Sequence, residues 1–371
     1  MKKFISVLVS AALAVTLCAC GGSAQTPSTT AAQHSAEKAA ETPEASPEGG
    51  DAAGEEKELK IVTTIFPEYD WVREVLGEEA SHAELTMLLD SGVDLHSYQP
   101  TAQDIMKIST CDFFIYVGGE SDGWVDDALK EAVNPDMKVM NLLETLGDKA
   151  KEEEVVEGME ADHDHEHAEG EEHAEGEEYA EGEEHEHEHE AECDEHVWLS
   201  LRNAEALVNV IAKNLGEIDS ANADTYMANA EAYNEKLAAL DKEYQDTVDK
   251  AQVKTLLFGD RFPFRYLTDD YGLDYYAAFV GCSAETEASF ETITFLSQKT
   301  DELALPCVMT IEGTDHRIAE TVVGNTAAKD QKILTMDSMQ SVTAKDVEAG
   351  TTYLGIMEKN LEVLREALGA K

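Results

Sequence analysis

The sequence predicts an α/β protein of two lobes, each with a mostly parallel sheet, joined by one long rigid helix. β-branched runs alternate with helical patterns in residues 58–150, and a similar alternation returns in residues 253–371. Strands that alternate with helices in this way are typical of parallel sheets. Between the two stretches, apolar residues recur every three or four positions. This period indicates one buried face of a helix.

The first lobe is predicted from the β-branched run at its start, Leu59–Ile65, which suits a buried strand. We predict a helix after it that stops at Gly77, then two further strands separated by a helix. In chain order these four elements are Tyr69–Leu76, Leu85–Leu89, Thr101–Ser109 and Phe113–Val117. Residues 196–220 are predicted to complete this lobe.

The linking helix is predicted over residues 221–252. Its buried face is predicted to contain Tyr226, Ala230, Tyr233, Leu237 and Leu240. At about 1.5 Å per residue this helix is about 45 Å long, enough to join two lobes. The second lobe then has two candidate strands, Leu256–Phe258 and Cys307–Ile311, and three candidate helices, Ser289–Asp301, His316–Ala328 and Thr352–Leu368.

The N-terminus is predicted to be a processing signal. Two lysines precede an apolar stretch, Phe4–Leu17, that is too short to cross a bilayer comfortably. Leu17–Cys20 resembles the bacterial lipobox, which implies removal of residues 1–19 and acylation of Cys20; the alternative is an ordinary secretory peptide cleaved nearby. We therefore expect an exported protein, lipid-anchored to the outer face of the cytoplasmic membrane. Residues 20–57 are predicted to be a flexible stalk.

A strongly acidic segment interrupts the chain at residues 151–195. The formal net charge of the protein is −51, and Glu152–Glu195 alone holds 23 acidic residues without a Lys or Arg. This charge argues against a nucleic-acid partner, because phosphate binding needs clustered basic residues. We predict a disordered loop that gathers metal weakly, the alternative being a merely solvating segment. Seven histidines would bind the metal: His163, His165, His167, His173, His185, His187 and His189.

Apart from Cys18 and Cys20 of the lipobox, the sequence has four cysteines: Cys111, Cys193, Cys282 and Cys307. A disulfide is allowed outside the cytosol, and one between Cys282 and Cys307 is compatible with their position in the same lobe. Sequence alone does not choose the pairing. Cys111 opens an apolar strand and is predicted to be a small buried residue.

Two isolated histidines are candidates for a binding site. His96 lies in a Gly-containing loop after a predicted strand, where α/β proteins usually expose ligand sites. His196 lies where the acidic segment meets the fold. Each has a simpler interpretation. His96 could be a solvated loop residue, and His196 could be the last member of the histidine-rich tract.

Six segments occur in order and are interrupted by the histidine-rich insert: Ile65–Tyr69, Gly92–Pro100, Tyr116–Gly119, His196–Leu199, Tyr266 with Tyr271–Leu273, and Tyr353–Leu354 with Met357 and Asn360. Together they are similar to the solute-binding proteins of zinc and manganese ABC importers. The similarity covers Leu59 to about Leu368. Each segment alone is weak evidence for this family, whereas the six segments together are specific to it. The resemblance implies one metal ion in the cleft between the lobes.

The resemblance also implies four ligands: two histidines, then a His or Glu, then an Asp. His96 and His196 fill the first two positions, and Asp337 fits the fourth. The third position falls on Arg261, whose guanidinium stays protonated and has no free lone pair. Asp260 is the neighbouring substitute, although it could equally form a salt bridge with an arginine. Further candidates for this position are Cys282, which could not bind as part of a disulfide, Glu285, Glu287 and His316.

By resemblance, the protein is expected to capture zinc and deliver it to an ABC permease and its ATPase subunit. Two imidazoles with carboxylates suit zinc and manganese alike, so manganese is the alternative cargo, and the histidine-rich segment favours zinc. A metalloenzyme is disfavoured because no HExxH occurs outside the histidine-rich tract, and no nucleophile elbow or paired general acid occurs. A surface adhesin with a degenerate metal site is the third possibility. We expect a monomer without enzymatic activity.

Overall fold

The computed structural model describes residues 58–160, 193–283, 287–313 and 315–370. The predicted signal peptide, the predicted stalk with Cys20 and the seven histidines of the acidic segment lie outside these residues, as does Glu285. Within the described part of the chain, no helix combines the length and apolar character needed to cross a membrane.

The first lobe contains a parallel sheet of four strands: β1 (Leu59–Thr63), β2 (Ala83–Met87), β3 (Phe113–Tyr116) and β4 (Lys138–Asn141). Their order is β2-β1-β3-β4. The helices are α1 (Phe66–Leu76), α2 (Ala102–Thr110), α3 (Val125–Lys130), α4 (Leu142–Leu146) and α5 (Leu201–Ile218). The predicted elements of this lobe are present with slightly shifted ends, and β4, α3, α4 and α5 are additional to the prediction.

The start of α1 follows from its local sequence. Pro67 lies in the first turn, where its missing N–H has no intrahelical partner to lose. The Glu68 side-chain carboxyl group accepts the backbone N–H groups of Thr64 at 2.8 Å and Ile65 at 3.3 Å. These bonds hold the chain as it leaves β1 and enters the helix. The buried face of the helix then includes Trp71, Val72, Val75 and Leu76.

The linking helix is α6, Ala223–Asp249, with 27 residues. At about 1.5 Å per residue it is about 40 Å long. It packs against α1 and α5. Its buried residues recur at the predicted spacing: Tyr226, Ala230, Tyr233, Leu237, Leu240, Tyr244, Thr247 and Val248.

The second lobe also contains a parallel sheet of four strands: β5 (Thr255–Phe262), β6 (Asp274–Val280), β7 (Cys307–Ile311) and β8 (Lys332–Met336). Their order is β6-β5-β7-β8, with a register shift between Phe258 and Arg261. The helices are α7 (Arg265–Tyr271), α8 (Phe290–Glu302), α9 (Arg317–Asn325), α10 (Ala344–Glu348) and α11 (Tyr353–Ala367). The fold class predicted from the sequence is confirmed.

Buried hydrogen bonds join the two lobes. Trp198 Nε1 donates to the Ser338 carbonyl at 2.8 Å, and the Tyr353 hydroxyl donates to the Trp198 carbonyl at 2.7 Å. The backbone N–H of Tyr353 donates to Asp70 of α1 at 2.7 Å. One hydrophobic cluster contains buried residues of both sheets. The lobes therefore share a core.

The ends of the acidic segment differ from the prediction. Residues 151–160 and 193–195 were expected to be disordered with the rest of the segment, but they are folded. Glu152 and Cys193 form an antiparallel bridge. The backbone N–H of Glu160 donates to the Ala278 carbonyl at 2.9 Å, which attaches this stretch to β6.

The cysteines form no bridge among the described residues. Cys111, Cys193, Cys282 and Cys307 are all free thiols. A disulfide between Cys282 and Cys307, which the sequence allows, is therefore not formed. Cys111 is fully buried, as predicted.

Candidate metal centre

The two predicted histidines come together in the structure. His96 follows β2, on a single helical turn, Leu95–Ser97, and its backbone N–H donates to Asp94 at 3.0 Å. His196 precedes another single turn, Val197–Leu199, and is fully buried. The Nε2 atoms of the two imidazoles are 3.2 Å apart.

The other ring nitrogen of each imidazole has a hydrogen-bond partner. Nδ1 of His196 lies 2.9 Å from Asp194 Oδ1, and Nδ1 of His96 lies 2.8 Å from Ser121 Oγ and 3.4 Å from Glu195 Oε2. An ionised carboxylate can only accept, so these contacts favour a proton on Nδ1 and a lone pair on Nε2. The two Nε2 lone pairs are then available in the same small region.

The spacing of the Nε2 atoms fits a shared metal ion. Zinc–imidazole bonds are about 2.0–2.1 Å long, and a tetrahedral angle separates two such nitrogens by about 3.3 Å. The observed separation of 3.2 Å therefore requires almost no movement of either ring. A cation between the rings would also offset the repulsion between two lone pairs at this distance.

A third candidate ligand lies beside the histidines. The ligand atoms of His96, His196 and Cys282 all lie within 4.8 Å of one another. Cys282 directly follows Gly281 at the end of β6. A Cβ on Gly281 would lie 2.9 Å from Cε1 of His196 and 2.9 Å from the Phe262 carbonyl oxygen. Any larger residue there would push the turn that carries Cys282 away from the imidazole.

A cavity of about 660 Å³ opens onto this cluster. His96 and Cys282 contribute to its lining. Its acidic lining residues are Glu120, Glu144, Glu153 and Glu195. The cavity gives a cation access to the cluster, and its carboxylates favour a cation over an anion.

Two carboxyl groups near His96, those of Asp94 and Glu195, are held in their ionised form by their neighbours. Burial by itself would raise the pKa of Asp94, but the Arg261 guanidinium and His96 outweigh it and hold that pKa below its usual value. Burial opposes ionisation of Glu195 as well, and hydrogen bonds with His96 and Ser121 lower its pKa overall. The surroundings of the two imidazoles are therefore negative.

The Cys282 thiol is neutral without a metal. Burial raises its pKa well above the usual value, and the nearby carboxylates of Asp194 and Glu153 raise it further. Glu153 also accepts the Cys282 backbone N–H at 3.2 Å. This bond fixes the turn in front of the cavity.

Arg261, at the third predicted ligand position, and its neighbour Asp260 both make hydrogen bonds with other protein groups. Arg261 donates to Asp94 Oδ2 and, at 3.3 Å, to the Ser283 carbonyl. Asp260 accepts the backbone N–H groups of Arg261 at 2.9 Å and Ile311 at 3.2 Å. Among the described residues, Asp260 does not belong to the cluster formed by His96, His196 and Cys282. Ligation by Asp260 stays a prediction.

Asp337 directly follows β8, and its backbone exchanges two hydrogen bonds of 2.8 Å with the Asn360 side chain. Burial raises its pKa. Burial and the nearby Asp337 also raise the pKa of Glu312 to about 7. Within the described part of the chain, the three-residue cluster includes none of Asp337, Glu287 and His316. The role of Asp337 as a ligand also stays a prediction.

The contacts that orient the imidazoles had only a partial signal in the sequence. Asp94–His96 and Asp194–His196 share the spacing Asp-x-His, and each aspartate accepts the backbone N–H of its histidine. The repeated spacing indicates two similar turns. It does not indicate that Asp194 also reaches the ring, nor that Ser121 contacts His96, because these contacts depend on the fold.

Comparison with known proteins identifies the family. The model described as ZnuA, zinc-uptake complex component A, periplasmic, matches residues 61–367. The chain belongs to the ZnuA family. It is 30% identical over 310 residues to the zinc-binding lipoprotein AdcA of Streptococcus pneumoniae, covering 83% of this chain and 55% of that protein. It is 28% identical over 322 residues to the high-affinity zinc uptake system protein ZnuA of Bacillus subtilis, covering 87% of this chain and 91% of that protein.

A solved structure supports the same assignment. The Zn(II)-bound ZnuA-like domain of Streptococcus pneumoniae AdcA matches with a TM-score of 0.61 and 26% identity, covering 84% of this chain and 99% of that chain. The two-lobe fold is thus that of the ZnuA family, as the sequence resemblance implies. This chain spans about half the length of the AdcA relatives. ZnuA-family proteins are transport components and not a class of enzymes.

Proposed function

We propose that this ZnuA-family protein captures Zn²⁺ between His96 and His196 and delivers it to the permease of an ABC importer. The observation that carries the proposal is the 3.2 Å separation of the two Nε2 atoms, each on a ring whose Nδ1 already has a partner. Two imidazoles held in this way are already oriented to bind a cation. The zinc-binding names of the AdcA and ZnuA relatives support the same cargo.

Zinc is favoured over manganese by the donors at the centre. Imidazole and thiol groups suit zinc, whereas manganese prefers carboxylate, carbonyl and water oxygens. The cluster of His96, His196 and Cys282 contains no oxygen donor. Tight manganese binding with weak zinc binding would contradict this assignment.

Delivery requires the metal centre to lie beside the permease. We expect the chain to be exported and tethered through lipid on Cys20, which places the metal centre beside a membrane permease. The histidine-rich segment would gather zinc weakly and raise its local concentration. Release to the permease requires the centre to open, and the cavity of about 660 Å³ in front of His96 is the side from which an ion can leave.

The test is zinc affinity together with transport. His96→Ala should lower the affinity of the tight site at least about 100-fold, since removal of a ligand should cost more than the 10–100-fold typical of an outer-shell partner. Affinity is measured by competition with a chelator on the full-length protein in detergent. Zinc uptake at limiting zinc is measured in cells whose own copy is deleted and replaced by each variant.

The matched control is His82→Ala. His82 lies in the same lobe, its side chain is 66% exposed, and it contacts Glu79. This variant should keep wild-type affinity and uptake. If His96→Ala also behaves as wild type in both measurements, the proposed site is wrong.

A further inference from the structure

The centre lacks the third ligand that the ZnuA family resemblance implies. Arg261 occupies that position, and its guanidinium cannot donate a lone pair. Its side chain donates to Asp94 and to the Ser283 carbonyl. Asp94 precedes His96 by two residues, and Ser283 follows Cys282. Arg261 therefore connects the loop that carries one histidine with the turn that carries the cysteine.

The turn after β6 brings a different donor to the histidines. Cys282 is free and partly buried, and its Sγ lies within 4.8 Å of the ligand nitrogens of both His96 and His196. Three features hold it there. Glu153 accepts its backbone N–H at 3.2 Å, Arg261 binds the next carbonyl at 3.3 Å, and Gly281 leaves room for the His196 ring.

We infer that the Cys282 thiolate is the third protein ligand of the captured zinc. This inference rests on the proposed function, because it names a further ligand of the same site. The ion would then be held by His96, His196 and Cys282, and Asp337 stays the predicted fourth ligand. The thiolate, a softer donor, would take the place of the carboxylate or imidazole that the resemblance implies.

The chemistry of binding is a ligand exchange without a redox step. The thiol S–H bond breaks, its proton leaves to solvent, and the sulfur lone pair forms the bond to Zn²⁺. A zinc–thiolate bond is about 2.3 Å long, so the sulfur and the two nitrogens need to close in slightly from their positions without metal. A thiolate also strengthens the preference for zinc over manganese, since manganese favours oxygen donors.

The test uses Co²⁺ as a spectroscopic substitute for zinc in the full-length protein. A thiolate bound to Co²⁺ gives a sulfur-to-metal charge-transfer band in the near ultraviolet, whereas imidazole and carboxylate ligands do not. Cobalt held by the histidine-rich segment therefore does not contribute to this band. We expect the wild-type band to saturate at one equivalent and to disappear when zinc is added.

Two variants assign the sulfur. Cys282→Ser should abolish the band and weaken zinc binding about 10-fold or more. Cys193→Ser is the matched control, because Cys193 is an exposed thiol that lines the same cavity and lies outside the three-residue cluster. It should keep both the band and the affinity.

The outcomes separate this inference from the proposed function. Absence of the band in wild-type protein with tightly bound cobalt, or a band that survives Cys282→Ser, would overturn Cys282 as a ligand. If His96→Ala still abolishes tight zinc binding, the proposed function stands without it. If neither His96→Ala nor Cys282→Ser changes zinc affinity, both are overturned.

Discussion

The orientation of His196 depends on one neighbouring side chain. Asp194 Oδ1 accepts the His196 backbone N–H at 2.8 Å and lies 2.9 Å from the ring Nδ1. Removing it frees the ring and leaves a buried N–H without its acceptor. We predict that Asp194→Ala lowers zinc affinity by about 10–100-fold, the usual effect of losing an outer-shell partner of a ligating histidine. Chelator competition measures this.

Asp194→Asn is the matched variant. It keeps an oxygen that can accept from the same two N–H groups, so its loss of affinity should be clearly smaller. Wild-type affinity in Asp194→Ala would mean that packing against Trp198, whose ring centroid is 5.2 Å from that of His196, is enough to hold the imidazole.

Glu68 should make stability depend on pH. Burial, reinforced by the nearby Asp122, raises its pKa from 4.5 to about 8. In the unfolded chain this carboxyl loses its proton near its ordinary pKa of 4.5, whereas the folded protein keeps it until about 8. Over that interval the unfolded state binds fewer protons, so the contribution of Glu68 to stability declines as pH rises from about 4.5 to about 8.

Glu68→Gln removes this ionisation and keeps an oxygen for the N–H groups of Thr64 and Ile65. We predict that the melting temperature of this variant, relative to wild type, increases as the pH is raised from 5 to 8.5. Each kcal/mol of unfolding free energy that wild type loses over this interval should add about 2–4 °C to the difference. The measurement is thermal unfolding of metal-free protein. Glu235→Gln, at an exposed position of α6, should give a difference that is flat with pH. A flat difference for Glu68→Gln as well would contradict the prediction.

The linking helix α6 offers a comparison between two buried tyrosines. The Tyr244 hydroxyl donates to the Met357 carbonyl of α11 at 2.6 Å. The Tyr233 hydroxyl is equally buried, and it has no hydrogen-bond partner among the described residues. Of these two hydroxyls, only that of Tyr244 therefore bonds the linking helix to the second lobe.

We predict that Tyr244→Phe lowers the free energy of unfolding by about 1 kcal/mol, the net worth of a typical hydrogen bond. Tyr233→Phe should be neutral or slightly stabilising, because it removes a buried polar group that makes no bond. Urea unfolding of the metal-free variants measures both. Equal losses would mean that the aromatic packing, and not the hydrogen bond, is what each substitution disturbs.

At the level of the entire molecule, we predict that the candidate metal centre and the histidine-rich segment act separately. The candidate ligands of the centre are all outside residues 161–192. The described residues that flank this segment are attached to the fold, through the Glu152–Cys193 bridge and the bond from Glu160 to Ala278. A deletion that began at residue 152 would remove these contacts and the hydrogen bond that the Cys282 N–H donates to Glu153.

We predict that replacing residues 161–192 by a Gly/Ser linker leaves the tight zinc affinity unchanged and lowers uptake only when zinc is scarce. Chelator competition and uptake at graded zinc concentrations measure the two effects. As a control, a substitute segment of equal length with each His changed to Gln keeps the charge and should match the deletion. Uptake that is unchanged in both would exclude a role for the histidines.

Much of the fold could be predicted because its signals are local. The β-branched run at Leu59 and the apolar period of α6 each identify an element without reference to the rest of the chain. The helix α5 and the strands β6 and β8 were not predicted. The folded ends of the acidic segment were also missed. The prediction for this segment rested on its composition, whereas its ends are folded through single contacts, such as the bond between Glu160 and Ala278.

The sequence by itself determined the two-lobe α/β architecture, the family resemblance and the candidacy of His96 and His196, because hydrophobic period and motif order are properties of the chain. Only the tertiary structure decided which groups meet at the centre. It brings together two histidines 100 positions apart, directs Arg261 to Asp94, and adds Cys282. A metal site depends on distances of a few ångströms between donors, and such distances arise only when the folded chain brings together the separate segments that carry them.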